Sequence, residues 1–136
     1  MKNAVKHLKY CDLRPQWTLP GAQTPGTARA NYTPGAELTK TSARYIMIPR
    51  GQSTPPHHTT SEHIIVMFEG TVSFAFDSGE EYVIGPRDLL SFASGITYRY
   101  TNVGDGDAFF LSVQGCVDSW PPKTTYVDSM KPAGKQ

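Results

Sequence analysis

The stretch Gly51-Gln52-Ser53-Thr54-Pro55-Pro56-His57-His58-Thr59-Thr60-Ser61-Glu62-His63-Ile64-Ile65-Val66-Met67-Phe68-Glu69-Gly70 decides how the chain is read. Pro55-Pro56 stiffens the backbone ahead of His57, so that imidazole is presented from a restrained turn. His63 opens an apolar run, Ile64 to Phe68, that reads as a buried strand. Glu69-Gly70 ends the run with a turn. Imidazoles at the mouth of a buried strand suit a small-molecule or metal pocket, because they ligate transition metals and titrate near neutrality.

Outward from this stretch the chain keeps the same rhythm. Its 12 glycines and 11 prolines separate short runs rich in Val, Ile, Tyr, Phe and Thr. Strands are predicted near 27–33, 43–49, 62–68, 71–77, 80–85, 88–92, 97–103 and 107–114. Glu69-Gly70, Asp77-Ser78-Gly79, Gly85-Pro86 and Gly104-Asp105-Gly106 connect them with residues that tolerate positive φ or pre-set a turn. Alternation places Val72, Phe74 and Phe76 on one face, and Tyr98, Tyr100 and Asn102 on another. No long amphipathic helical pattern occurs, so the expected class is an all-β sandwich or barrel. Residues 1–26 read as a polar N-terminal arm, 27–117 as the barrel and 118–136 as an extended, proline-bearing tail.

Composition narrows the function. A chain of 136 residues holds one domain with a real core. With 38% hydrophobic and 18% charged residues it is globular rather than disordered. A formal net charge of +1 and scattered Lys and Arg argue against nucleic acid as a partner. No apolar run approaches the roughly 20 residues of a membrane-spanning helix. The first residues lack a signal peptide's apolar core, so a cytoplasmic location is expected. Cys11 and Cys116 lack metal or redox spacing and read as free thiols, a disulfide between them being open only to an oxidising compartment.

The spacing resembles the cupin family, whose fold is a double-stranded β-helix barrel of jelly-roll type. In the first cupin motif, a glycine precedes two histidines and a glutamate, and a glycine closes it. Here Gly51 and His57 fall on register, Thr59 takes the second histidine's slot, His63 the glutamate's, and Gly70 the closing glycine's. In the second motif Gly95 and Asn102 match, Tyr98 stands in the histidine slot and Ala93 in the proline slot. Arg87-Asp88 replaces the usual Gly-Asp. Histidine in the glutamate slot also resembles ureidoglycine aminohydrolase domains.

The resemblance implies one divalent metal ion (Fe, Mn, Ni or Zn) on His57, His63 and Tyr98, with Tyr98 or Glu62 serving catalysis. Glu62 has the parity of a solvent-facing residue and turns inward only if Thr59-Thr60-Ser61 carries a bulge. Thr59, Met47, Phe76 and Arg99 are the expected substrate contacts, and Arg44, Arg50 and Arg99 are candidate carboxylate clamps. Two functions from different classes are expected. One is a metal-dependent enzyme of dioxygenase, lyase or isomerase type acting on a small molecule. The other is a metal-free binding or sensor module. A homodimer is expected from the same resemblance.

Overall fold

The computed structural model describes residues 5–7, 9, 28–32, 38, 40–116 and 122–130. These contain ten strands: β1 (Ala28–Tyr32), β2 (Thr41–Ile48), β3 (His57–Thr59), β4 (Glu62–Glu69), β5 (Val72–Phe76), β6 (Glu81–Ile84), β7 (Leu89–Phe92), β8 (Tyr98–Asn102), β9 (Ala108–Gly115) and β10 (Thr124–Tyr126). They form two five-stranded sheets, ordered β1-β2-β9-β4-β7 and β10-β3-β8-β5-β6, and every pairing is antiparallel. No helix among the described residues is long and apolar enough to cross a membrane. The all-β jelly-roll expectation is borne out.

Each of the eight predicted strands is present within a few residues of its expected span. β3 and β10 escaped because neither alternates in hydrophobicity. His57–Thr59 is polar, and Thr124–Tyr126 is exposed along its length. β10 lies within the segment expected as a tail and adds a strand to the second sheet by pairing with β3. The arm at 1–26 falls almost wholly outside the described residues.

Period-two alternation builds the core. β9 alternates along its whole length, turning Ala108, Phe110, Ser112 and Gln114 inward. β4 turns in His63, Ile65 and Met67, and β8 turns in Tyr98, Tyr100 and Asn102. Phe74 sits between the sheets, its ring 5.3 Å from Tyr100 and 5.6 Å from Phe110.

The barrel's two ends differ. At one end Gly70 adopts φ 83°, and a Cβ there would lie 2.8 Å from the Ala108 Cβ, so only glycine fits the turn. The Asn102 amide donates to the carbonyls of Ile48 and Gly106, each at 2.8 Å, and its oxygen accepts from Gly104 N at 2.9 Å. This single side chain ties three segments together. The opposite end gathers the starts of β2, β4 and β8, the ends of β7 and β9, and β3. It carries the polar inward residues.

Candidate functional site

His57 opens β3 and pairs with Tyr98, the first residue of β8. Their rings lie 4.4 Å apart, and the Tyr126 ring closes over His57 at 5.4 Å. The His57 Nδ1 stands 2.9 Å from the Pro55 carbonyl oxygen. A carbonyl only accepts, so Nδ1 carries the proton and Nε2 keeps its lone pair for the pocket. The Pro55-Pro56 turn therefore sets the tautomer as well as the direction of the ring. Burial lowers the His57 pKa, with smaller contributions from His58 and Arg44, while the Pro55 carbonyl pulls the other way. The ring is a neutral base at neutral pH.

His63 is 2% exposed and stacks on Phe92 at 4.7 Å and 13°. Across the ladder from β9 its partner is Gln114. The Gln114 side chain lies between two groups. Arg44 Nη2 donates to its Oε1 at 3.1 Å, and its Nε2 lies 3.1 Å from His63 Nε2. A guanidinium has no acceptor, so it holds the amide oxygen on its own side. The amide N–H then donates to His63 Nε2, which must be unprotonated. The ring's proton sits on Nδ1, which closes no hydrogen bond among the described residues. Burial first, then the Arg44 guanidinium and His57, push the His63 pKa down to about 3, against a weaker opposing pull from the Ser61 backbone.

Tyr98 is 5% exposed, with Phe92 at 4.6 Å and Phe76 at 6.1 Å between ring centroids. Burial and the nearby Tyr100 raise its pKa well above the ordinary phenol range. It remains protonated and so has a hydroxyl proton to donate. Thr59 Oγ1 is 2.9 Å from Ser61 Oγ and accepts from Ser61 N at 3.2 Å, an arrangement that holds the short loop between β3 and β4.

Arg44, His57, Thr59, Tyr98, Gln114 and Thr124 are among the residues lining a small cavity here, and His63 is not. The free volume is about 20 Å³, on the order of one water molecule. β10 forms one wall through Thr124. That strand is three residues long and exposed along its length.

Of the residues expected from sequence, His57, Thr59, His63 and Tyr98 meet at this end of the barrel. Glu62 does not join them: no bulge turns it, and it is exposed on the outer face of β4. Met47 lies between the inward Ile46 and Ile48 and faces outward, half-buried. Arg99 is exposed on β8 and lines a separate cleft with Pro56 and Met130. Phe76 is buried in the wall behind Tyr98. Sequence reasoning missed Gln114. The signal was present in β9, where the inward set runs from apolar Ala108 and Phe110 to polar Ser112 and Gln114.

Catalytic zinc sites usually present three protein ligands and an open position. The cavity lining supplies one imidazole, His57, and Gln114 caps the acceptor nitrogen of His63. Arg44, a fixed cation, shares that lining. Among the described residues no three His, Cys, Asp or Glu side chains are grouped to hold a metal. As arranged, these residues do not fit a resident divalent ion.

The family model for the cupin domain matches residues 44–114, just over half of the chain. The chain belongs to the cupin domain family. Among curated proteins, this cupin is 27% identical over 110 residues to a protein of Arabidopsis thaliana described as germin-like, subfamily 1 member 2. That alignment covers 74% of this chain and 41% of the relative, so the cupin spans less than half of that protein's length. Among solved structures, the polyketide cyclase RemF from Streptomyces resistomycificus is similar, with a TM-score of 0.71 at 18% identity over 90% of this chain and 87% of that one. Salicylate 1,2-dioxygenase from Pseudoaminobacter salicylatoxidans, in complex with gentisate, gives a TM-score of 0.72 at 13% identity over 90% of this chain and 37% of that one. At these identities the structural likeness speaks for the fold alone.

Proposed function

We propose that this cupin takes a small organic molecule bearing a carbonyl or carboxylate oxygen at the His57 end of the barrel, held by protein groups rather than by a resident metal. The observation that carries this reading is the Arg44–Gln114–His63 chain. It engages the unprotonated nitrogen of His63 and brings a permanent cation to the lining. Arg44 then supplies charge for an anionic oxygen. Tyr98 supplies a phenolic donor where negative charge develops. His57 Nε2, unprotonated at neutral pH, supplies the base. Proton transfer beside a carbonyl, as in isomerase or lyase chemistry, is the reaction this set serves. Entry requires β10 to move, since the closed cavity holds only about 20 Å³. The outer face of the first sheet exposes Ile64, Phe68 and Leu89, which suits pairing with a second copy.

Elemental analysis of untagged protein tests the metal-free part. Far less than one metal per chain is expected. One metal per chain, lost on joint His57→Ala and His63→Ala substitution, would overturn it and favour a metal-dependent enzyme in which Gln114 releases His63. Pyruvate, which carries a carboxylate beside a carbonyl, tests the chemistry. Exchange of its methyl protons in deuterated water, followed by NMR, should exceed the buffer rate and fall about a hundredfold in Tyr98→Phe or His57→Gln. Saturable binding without exchange would leave a binding or sensor module instead. Light scattering on the same sample reads the dimer, and a lone monomer mass would remove it.

A further inference from the structure

A second concavity lies outside this pocket. β7 ends the first sheet and β6 ends the second. Between these edges runs a groove of about 640 Å³, within the range of small-molecule sites. Phe76, Tyr82, Leu90, Phe92 and Ile96 supply apolar and aromatic wall. The Phe76 ring stands edge-on to Tyr82 at 6.0 Å and to Phe92 at 5.1 Å, so ring faces of several orientations border one space. The ionisable side chains of the lining, apart from the Tyr82 phenol, are Asp77 and Glu80; it includes no Lys or Arg among the described residues.

The Glu80 carboxylate is also held in place. Ser78 Oγ donates to its Oε1 at 3.0 Å and the Tyr82 hydroxyl to its Oε2 at 2.5 Å. These two donors hold its pKa below the ordinary carboxylate value, so it stays ionised. Tyr82 thus offers a ring to the groove and fixes a negative charge within its lining.

We propose that this groove is a binding site for an aromatic ring carrying a protonated amine. The ring packs among Phe76, Tyr82 and Phe92, and the ammonium faces Glu80 and Asp77. Aromatic faces favour a cation as well as a flat apolar body. An anionic ligand meets the Glu80 carboxylate, with no Lys or Arg among the described lining residues to offset it. Phe92 partitions this groove from the polar pocket, stacking on His63 while also lining the groove. The site therefore stands independently of the chemistry assigned to His57 and Tyr98.

Three indoles differing only in charge test the assignment: tryptamine (cationic), 3-methylindole (neutral) and indole-3-acetate (anionic). Titrations followed by the Leu90 and Ile96 methyl resonances should rank them in that order. Added salt should weaken tryptamine and leave 3-methylindole unchanged. Glu80→Gln, an exposed isosteric change, should weaken tryptamine about threefold and spare 3-methylindole. Tyr82→Ser should weaken both, through the lost wall. The assignment fails if tryptamine gives no saturable shift, if indole-3-acetate binds as well, or if Glu80→Gln leaves the ranking intact. It also fails if Tyr82→Ser changes the oligomeric mass without changing tryptamine binding, since a second copy would then occupy the groove.

Discussion

The same strands build both ends of the barrel, yet the two ends are finished differently. β4 carries Met67 at one end and His63 at the other, β9 carries Ala108 and Gln114, and β8 carries Asn102 and Tyr98. At the Asn102 end the buried amide has both its donors and its acceptor engaged, and Gly70 lets two backbones close on each other. At the His57 end His63 Nδ1 has the Ser61 backbone beside it but closes no well-formed hydrogen bond among the described residues, and His57 Nε2 is left to the cavity. Buried polar groups that lack well-formed partners are costly to stability. The contrast separates the end that holds the fold from the end where the proposed site lies.

The sharpest way to break that contrast is Gly70→Ala. The residue's φ of 83° disfavours any side chain, and the new Cβ would press on the Ala108 Cα at 2.9 Å as well as its Cβ. Backbone on one side and a packed alanine on the other leave no flexible neighbour to yield. Left-handed backbone strain and overpacking together should cost about 3 kcal/mol of unfolding free energy. Urea denaturation at neutral pH measures it. A loss below about 1 kcal/mol would mean that this end yields easily and that the two ends are not so different.

The His57 end predicts a pH effect of opposite character, in which stability is lost because buried imidazoles resist protonation. The His63 pKa falls from 6.5 to about 3 on folding. Above pH 6.5 both states are neutral there and the group contributes nothing. Below it the unfolded chain binds the proton and the folded one does not, so stability decreases as pH falls, by at most about 1.4 kcal/mol per unit. His57, also lowered, acts in the same direction. A loss of roughly 2 kcal/mol between pH 7.5 and 5 is expected. His63→Gln should flatten much of that slope. A wild-type curve level over this range, or an undiminished slope in the variant, would remove the buried neutral imidazole from the picture.

Legibility followed the same division. Most strands announced themselves through alternation, and Gly51, Gly70, Gly95 and Asn102 fell on motif positions whose backbone roles the structure explains. Gly51, Gly70 and Gly95 all take positive φ. His57, Thr59, His63 and Tyr98 were found from the register of the cupin motifs, with strand parity adding support for His63 and Tyr98. What parity could not tell is what an inward residue touches. The capping of His63 depends on Gln114, whose separation of 51 residues along the chain leaves no local trace. Met47 was placed in the wall on side-chain type alone, although its neighbours Ile46 and Ile48 take the inward positions. β10 was illegible because its pairing depends on β3 offering an edge, not on any pattern in Thr124-Thr125-Tyr126.

The smallest expected effect probes a flaw in the well-finished end. Arg87 replaces the glycine of the second motif and is held at φ 74°, the one non-glycine with positive φ among the described residues. The turn leaves it no alternative. Its N–H donates to the Met67 carbonyl at 3.0 Å, and next to it Asp88 accepts from Gly85 N at 2.8 Å and donates its own N–H to the Gly85 carbonyl at 3.0 Å. The side chain is exposed, so its replacement removes little packing. Arg87→Gly relieves the left-handed strain, part of which is offset by the greater freedom glycine has in the unfolded chain. The net gain should be about 0.5 kcal/mol in urea denaturation. Arg87→Ala keeps a Cβ in the same strained backbone and should gain nothing. Equal responses from the two variants would show that the turn carries no strain, and that this end of the barrel has no flaw to repair.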